Sequence, residues 1–330
     1  MEHRLKNLIV ALAVALAPAG ALAGGFADDP EVLAFVAEMH ERHGFDADRL
    51  RQRFTRIGPN ETVLRAIQPA AVPELQRSWT RYRARFLNER RIDTGVRFWR
   101  QHGAALRRAS ALFGVPEEII VAIIGVETEY GANTGRFGVM QALSTLAFRY
   151  PPRAAFFRGE LEQFLLLARE NGFDPLQVKG SYAGAIGIPQ FMPGSQRHYA
   201  VDFDGDGRID LTKSADDAIG SVASFLARHG WESGGRIAAP ARVSADPAPL
   251  LALGIRPERT LAEFIAGGVD AEGDPESPGA LIDLVSPEQA TEYWVGFRNF
   301  YVITRYNRSS FYAMAVFQLA EAIRERRRAL

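Results

Sequence analysis

The sequence predicts a mainly α-helical protein of the α+β class with one small strand-containing module. In segments such as 31–43 and 72–87, apolar residues recur at three- and four-residue spacing, which is the period of an amphipathic helix. Residues 119–126 form a continuous apolar run, as expected of a helix that is buried on every side. Over residues 232–289 the chain is rich in Pro, Gly and Asp, with short β-branched runs such as 280–285, which is typical of strands joined by turns.

These patterns predict the domain organisation. Residues 24–111 form a helical domain, which the C-terminal helix 309–330 joins. Residues 112–231 mix apolar helices with a Gly- and Pro-rich loop and are predicted to be the catalytic core. The strand-containing module covers residues 232–289, and an aromatic segment at 290–308 returns to the core.

Composition places the chain among globular proteins and excludes several functions. Its 330 residues, 47% apolar and 24% charged, suit two or three folded domains. Basic and acidic residues both number 39, so the net positive charge that nucleic-acid-binding proteins usually show is absent, and nucleic acid is not an expected partner. The absence of cysteine excludes disulfides, thiolate metal sites, a cysteine nucleophile and a lipid-modified N-terminal cysteine.

Residues 1–23 are predicted to be a cleaved export signal. A short basic region precedes an apolar run over residues 8–17, and Ala-Leu-Ala stands directly before Gly24. The alternative is a membrane anchor, but Pro18 ends the run well short of the roughly 20 apolar residues that a spanning helix needs. We therefore expect a periplasmic protein that begins near Gly24 and is not a lipoprotein.

Glu127 is the candidate catalytic acid. It follows the apolar run of a helix predicted to begin at Pro116, a residue favoured at the first helical position. Ile123 and Ile124 lie three and four residues before it, so its carboxyl group is carried on an apolar face. Burial and the negative end of the helix dipole both raise a carboxyl pKa, as a general acid near neutral pH requires. A buried structural Glu paired with an arginine is the alternative, and Glu129 is a weaker candidate acid.

Two further segments carry neutral polar groups suited to sugars. In the Gly-rich loop 179–195, Ser181, Tyr182 and Gln190 offer donors and acceptors for hydroxyl and acetamido groups, and the glycines permit close approach of a ligand. Tyrosines, phenylalanines and asparagines cluster over residues 293–312, and aromatic rings with polar tips line many sugar-binding clefts. A tightly packed loop and an aromatic core are the structural alternatives.

Residues 202–210 match the start of a calcium-binding loop. Aspartates stand at positions one, three and five, and a glycine stands at position six, where the loop turns sharply. Position twelve is Lys213 and not the usual Glu, so the closing ligand must come later, from Asp216 or Asp217. We expect a structural Ca²⁺ and no organic cofactor; an acidic turn without metal is the alternative.

Four motifs, in order along the chain, resemble one known family. They are Gly-Val-Glu-Thr-Glu-Tyr-Gly at 125–131, the loop 180–193, Val-Asp-Phe-Asp-Gly-Asp-Gly at 201–207 and Ile-Thr-Arg-Tyr-Asn at 303–307. They resemble the membrane-bound lytic murein transglycosylase B family and its soluble 35-kDa form. The resemblance covers nearly all of the chain after the signal, and it implies a lysozyme-like catalytic core, a helical domain, a small β domain and activity on peptidoglycan.

The resemblance also implies roles for individual residues and a reaction. The family cleaves the bond between N-acetylmuramic acid and N-acetylglucosamine without water, leaving a 1,6-anhydro sugar, with one acid that then serves as base. We expect a monomer acting on glycan strands, with cell-wall synthesis enzymes as candidate partners. The positions that match the family are the catalytic acid Glu127, the cleft residues Ser181, Gln190, Tyr306, Asn307 and Tyr312, and the calcium ligands Asp202, Asp204, Asp206, the Arg208 carbonyl and Asp216.

Two alternative functions remain open from the sequence. A hydrolytic muramidase would need a second carboxylate in its cleft, for which Glu160 and Glu162 are the candidates. A calcium-stabilised peptidoglycan-binding protein would need no acid at all, which the setting of Glu127 argues against.

Overall fold

The computed structural model describes residues 25–69, 78–287 and 289–330, so the predicted export signal lies outside the described residues. The chain divides into two compact units at Asn60, inside the predicted helical domain; the sequence-based boundaries stay a prediction. Within the described ranges, no single helix is long and apolar enough to cross a membrane. Gly103–Phe113 and Glu117–Thr128 meet that requirement only when taken together, and a bend of 114° separates them.

The first unit contains two helices, α1 (Pro30–His43) and α2 (Ala47–Phe54). The Asp29 side chain accepts a hydrogen bond from the backbone at the start of α1, and Gly44 ends the helix in the left-handed conformation, φ 65°. The helices share an aromatic core in which Phe54 packs edge-on against other phenylalanine rings.

The second unit, from Asn60 onward, is mainly helical before residue 232. Its helices in this part are α3 (Glu61–Ile67), α4 (Trp79–Phe86), α5 (Glu89–Gln101), α6 (Gly103–Phe113), α7 (Glu117–Thr128), α8 (Val139–Arg149), α9 (Ala154–Glu170), α10 (Pro193–Tyr199) and α11 (Ala215–Arg228), with a 3-10 turn at Pro151–Arg153. A short antiparallel pair, β1 (Phe137–Gly138) and β2 (Lys179–Gly180), lies beside the Gly-rich loop.

Helix α7 lies at the centre of this unit. Each of its residues from Ile119 to Val126 is buried, which confirms the prediction of a helix buried on every side. The helix begins at Glu117, one residue after the expected Pro116, and the Glu117 carboxylate accepts a hydrogen bond from Trp99 of α5. It packs against α5, α6, α11 and the C-terminal helix, so the residues at its end are held from several directions.

The strand-containing module is a five-stranded antiparallel sheet in the order β4-β6-β7-β3-β5. Its elements are β3 (Ala238–Val243), α12 (Ala248–Leu251), β4 (Arg259–Thr260), α13 (Leu261–Ala266), β5 (Val269–Ala271), β6 (Pro278–Leu284) and β7 (Glu292–Gly296). Leu261 and Phe264 of α13 cover one face of the sheet and form a separate small core with Leu281 and Val295. The last strand of the sheet ends at Gly296.

Two helices, α14 (Arg298–Tyr306) and α15 (Ser310–Arg328), return the chain to the helical core. The Ser309 side chain accepts a hydrogen bond from the Tyr312 backbone at the start of α15, an N-cap that fixes where the helix begins. Because α15 packs along α7, Tyr312 is brought to the end of the central helix.

Candidate active site

Glu127 stands one residue before the end of α7, with the apolar residues of that helix behind it. Burial raises the pKa of its carboxyl group to about 7, and a hydrogen bond from Tyr312 opposes part of that rise. In this bond the Tyr312 hydroxyl donates to Oε1 of Glu127 at 2.6 Å. A carboxyl group with this pKa keeps its proton in a large fraction of the molecules near neutral pH, and the hydrogen bond fixes its direction. The Glu127 residue as a whole is half-buried.

Three tyrosines surround this carboxyl group. Tyr306 and Tyr312 stack with ring centroids 6.3 Å apart and planes 12° apart, and the Tyr306 hydroxyl donates to the Pro189 carbonyl at 2.5 Å. Burial raises the pKa of both, and the Glu127 charge raises them further. Burial and the same charge raise the pKa of Tyr82 to about 12. All three phenols are therefore neutral where the carboxyl titrates.

The Gly-rich loop is held to the end of α7 by Thr128, whose hydroxyl donates to the Ile188 carbonyl at 2.8 Å. Gln190 takes a left-handed conformation, φ 52°, and its amide donates to the Gly187 carbonyl at 2.9 Å. The Ser181 hydroxyl accepts a hydrogen bond from the backbone within the loop at 3.0 Å. These contacts fix the loop internally, so the polar side chains of this segment also serve its own structure.

A cleft of about 700 Å³ lies beside Tyr306 and the Gly-rich loop. Its lining residues are Arg153, Phe156, Glu160, Gln190, Phe191, Met192, Ser195, Tyr199, Phe225, His229, Arg305, Tyr306, Asn307 and Arg308. The structure thus places Gln190, Tyr306 and Asn307 on one cleft, and Tyr306 links it through Tyr312 to Glu127. Glu127, Ser181 and Tyr312 are not among the residues lining this cleft.

Sequence reasoning missed several residues that the fold brings to the site. Tyr82 comes from α4, 45 positions before Glu127. The cleft also takes Arg153 from the 3-10 turn that precedes α9, and Arg305 from α14. No local signal marks Tyr82, because its role depends on the packing of α4 against other helices. The aromatic cluster over residues 293–312 was the usable signal for the region around Arg305.

The predicted calcium loop is folded as a tight acidic turn. Carboxylate oxygens of Asp202, Asp204 and Asp217 lie within 4.8 Å of one another, an arrangement whose hard oxygen donors suit Ca²⁺. Asp202 accepts hydrogen bonds from the backbone of Gly205 and Gly207, each at 2.8 Å. Both glycines have positive φ, 80° and 87°, which explains the residue type required at these turns.

Asp216 and Asp217 occupy different positions in this region. Asp217 is buried and accepts backbone hydrogen bonds from Phe203 at 2.7 Å and from Asp210 at 2.8 Å. Its carboxylate therefore holds both ends of the acidic loop in place. Asp216, the ligand that the resemblance implied, has Oδ1 3.7 Å from Nδ1 of His102. The structure therefore groups Asp217 with Asp202, whereas the carboxylate of Asp216 approaches α6 at its N-cap histidine.

A half-buried glutamate with a raised pKa at the end of an apolar helix, near a cleft with aromatic and amide walls, fits the class of glycan-cleaving enzymes. Residues 27–321 match the model of the Transglycosylase SLT domain family, and the chain belongs to that family. Lytic murein transglycosylases cleave peptidoglycan, so the chain is an enzyme of this class.

Known proteins support the assignment along almost the whole chain. The membrane-bound lytic murein transglycosylase B of Escherichia coli (strain K12) is 42% identical over 313 residues, 92% of this chain and 85% of that protein. The soluble lytic transglycosylase SltB1 of Pseudomonas aeruginosa is 48% identical, with a TM-score of 0.84 over 90% of this chain and 99% of that one. Escherichia coli Slt35, solved in complex with calcium, is 41% identical, with a TM-score of 0.81 over 92% and 96%. The predicted family, mainly helical lysozyme-like fold and enzyme class are confirmed.

Proposed function

We propose that the enzyme cleaves the glycosidic bond between N-acetylmuramic acid and N-acetylglucosamine by an intramolecular reaction, with Glu127 as the only carboxyl group involved. Glu127 donates its proton to the glycosidic oxygen, which leaves with N-acetylglucosamine. The resulting carboxylate accepts the proton of the muramic C6 hydroxyl as that oxygen bonds to C1. A 1,6-anhydro ring forms, no water is consumed, and Glu127 regains its proton.

The observation that carries this proposal is the kind of side chain found next to the Glu127 carboxyl group, which is phenolic and not a second carboxylate. Among the described residues, Tyr82, Tyr306 and Tyr312 are ionisable groups whose pKa the charge of Glu127 raises, and the Tyr312 hydroxyl is also hydrogen-bonded to it. None of these phenols is the second carboxylate that most hydrolytic glycosidases use as nucleophile or base. A nucleophile held within the substrate compensates, since well-oriented intramolecular attack has a large effective molarity.

Glu160, one of the two candidates for a second carboxylate, supports the hydrolytic alternative poorly. Glu160 does line the cleft, and burial raises the pKa of its carboxyl group. Its Oε2 accepts a hydrogen bond from the Gly194 backbone at 2.8 Å, at the start of α10. A carboxyl that caps a neighbouring helix is held by structure, so we assign Glu160 to the loop and not to the chemistry.

Product analysis tests the proposal directly. Purified murein is digested in ¹⁸O-labelled water, and the new muramic ends are examined by mass spectrometry. The proposal requires unlabelled 1,6-anhydro ends; label in most new ends would establish hydrolysis. Glu127→Gln should lower turnover by roughly 10²–10⁴, the usual contribution of general acid–base catalysis, while Glu160→Gln should keep both the rate and the product.

We propose that the loop around Asp202 binds one structural Ca²⁺. The grouped carboxylates of Asp202, Asp204 and Asp217 support it, and so does the calcium complex of the similar Slt35. The residues present supply oxygen ligands of the kind that Ca²⁺ takes. The ion would offset their mutual repulsion and add stability; the chemistry at Glu127 needs no step from it.

We also propose export to the periplasm with removal of residues 1–23. The signal pattern supports it, and so does the substrate class, because peptidoglycan is the target of the family. The sequence has no cysteine that could carry an acyl group, which supports the proposal that the protein is not a lipoprotein. N-terminal sequencing of protein from the envelope fraction should find a start near Gly24; a retained Met1 would refute cleavage.

A further inference from the structure

We propose that Arg91, Glu129 and Tyr130 form a clamp that positions Glu127 by holding the backbone that follows it. Arg91 lies on α5, and the other two residues directly follow α7. The clamp does not touch the reacting atoms, so its members are positioning residues. This inference rests on the proposed role of Glu127 as the acid, and the experiment below separates failure of one from failure of the other.

The backbone after Glu127 is held in an unfavourable conformation. Glu129 has φ 51° and Tyr130 has φ 63°, so two consecutive residues with side chains lie in the left-handed region. Among the described residues, the only other non-glycine residue with positive φ is Gln190, which lines the cleft. A side chain makes this conformation costly, so surrounding contacts must stabilise it.

Arg91 supplies two of those contacts through one side chain that is only 10% exposed. One guanidinium nitrogen, Nη2, donates to Oε1 of Glu129 at 2.7 Å. The other, Nη1, donates to the carbonyl of Gly125 in the last turn of α7. Arg91 therefore joins the strained residue to the helix turn that carries Glu127. The rigid, forked guanidinium is suited to this double contact, and a lysine ammonium is not.

Tyr130 also connects α5 with the end of α7, through its hydroxyl group. Its hydroxyl donates to the backbone carbonyl of Arg91 at 2.9 Å. A Cβ added at Gly95 of α5 or at Gly125 of α7 would stand 2.5 Å or 2.6 Å from that hydroxyl oxygen. The phenol thus fills a space that exists because both helices carry glycine there. The two helices are held together by a side chain that must follow the left-handed turn.

The position of Glu127 depends on this junction. Backbone amides of Glu129 and Tyr130 close the last turn of α7, with hydrogen bonds to Gly125 at 3.2 Å and to Ile124 at 3.3 Å. If Glu129 and Tyr130 left the left-handed conformation, that turn would open and water would reach the Glu127 carboxyl group. The carboxyl group would also move away from the Tyr312 hydroxyl. The result expected is slower chemistry with little change in substrate binding.

Among the described residues, Tyr82 of α4, Tyr306 of α14 and Tyr312 of α15 are ionisable groups that interact with Glu127. Clamp variants leave all of these in place. A downward shift of the pH at which activity falls would therefore report increased access of water to Glu127, because burial is the main cause of its high pKa. A purely structural role would lower the melting temperature without moving that pH.

The test compares Arg91→Met with Arg90→Met, its neighbour on α5. Arg90 also approaches Glu129, at 3.5 Å, but its side chain is 84% exposed, so its loss should matter little. With uncross-linked peptidoglycan strands as substrate, well below each melting temperature, Arg91→Met should lower kcat by roughly 10-fold to 100-fold and change KM less than about twofold. Arg90→Met should stay within about twofold of the wild type in both.

A rescue experiment identifies backbone strain as the cause. Glycine takes the left-handed conformation without cost, so Glu129→Gly added to Arg91→Met should restore kcat by about threefold or more. Absence of rescue, or Arg91→Met matching Arg90→Met in kcat, overturns the clamp. Should Arg91→Met fail to fold, Glu129→Gln and Glu129→Gly replace it in the test. The clamp requires a lower kcat in Glu129→Gln than in Glu129→Gly, and equal values of kcat would refute it.

The Glu127→Gln protein, assayed in parallel, keeps the two proposals apart. Normal turnover of Glu127→Gln would refute the proposed acid. Loss of turnover in Glu127→Gln together with normal kcat in Arg91→Met would refute the clamp alone.

Discussion

Replacement of Glu127 by Gln should stabilise the folded protein at alkaline pH. The pKa of this carboxyl group rises from 4.5 to about 7 on folding, chiefly because it is buried. A difference of this size corresponds to about 3 kcal/mol between the protonated and charged forms. Since the folded state binds the proton more tightly, stability is highest below pH 4.5, falls as pH rises and reaches its full loss above pH 7.

Glu127→Gln removes this titration and keeps the shape of the side chain. Its free energy of unfolding should exceed that of the wild type by about 2–3 kcal/mol at pH 8, and the difference should vanish near pH 4. Urea denaturation at pH 4, 6 and 8 measures it, with the exposed Glu325→Gln as control, for which a change within about 0.5 kcal/mol is expected at every pH. A wild-type protein that is equally or more stable than Glu127→Gln at pH 8 would refute the burial argument.

Three further predictions concern neighbouring features. Tyr312→Phe removes a hydrogen bond that lowers the pKa of Glu127, so the pH at which activity falls should rise by about one unit; an unchanged or lower value would contradict this. Added Ca²⁺ should raise the melting temperature of the wild type but not of Asp202→Asn, and equal responses would count against the loop as its site. Gly125→Ala places a Cβ 2.6 Å from the Tyr130 hydroxyl and should lower the free energy of unfolding by about 1–3 kcal/mol, measured by urea denaturation; a gain in stability would show that the phenol moves freely.

The sequence alone determined the central helix, the place of the Glu127 carboxyl group on it and the turn chemistry of the acidic loop. Residues 119–126 are apolar without interruption, so their burial follows from composition, and a carboxyl group attached to that run must be partly buried with them. The turns at the glycines of the acidic loop could also be predicted from the sequence, because a backbone with positive φ favours glycine through local sterics. Family membership, too, was carried by motifs in sequence order, and the family match confirms it.

Only the tertiary structure decided which side chains meet Glu127. Tyr82 and Tyr312 come from helices 45 residues before it and 185 residues after it, and nothing near either residue in the sequence encodes the distance to the acid. Between Asp216 and Asp217 the choice depended on helical phase at the start of α11, where a step of one residue turns a side chain by about 100°. The Arg91–Glu129 ion pair could not be predicted from the sequence either, because the two residues lie 38 positions apart. Local sterics and apolar periodicity are written in neighbouring residues, whereas contacts between helices depend on how whole faces pack, which no short segment specifies.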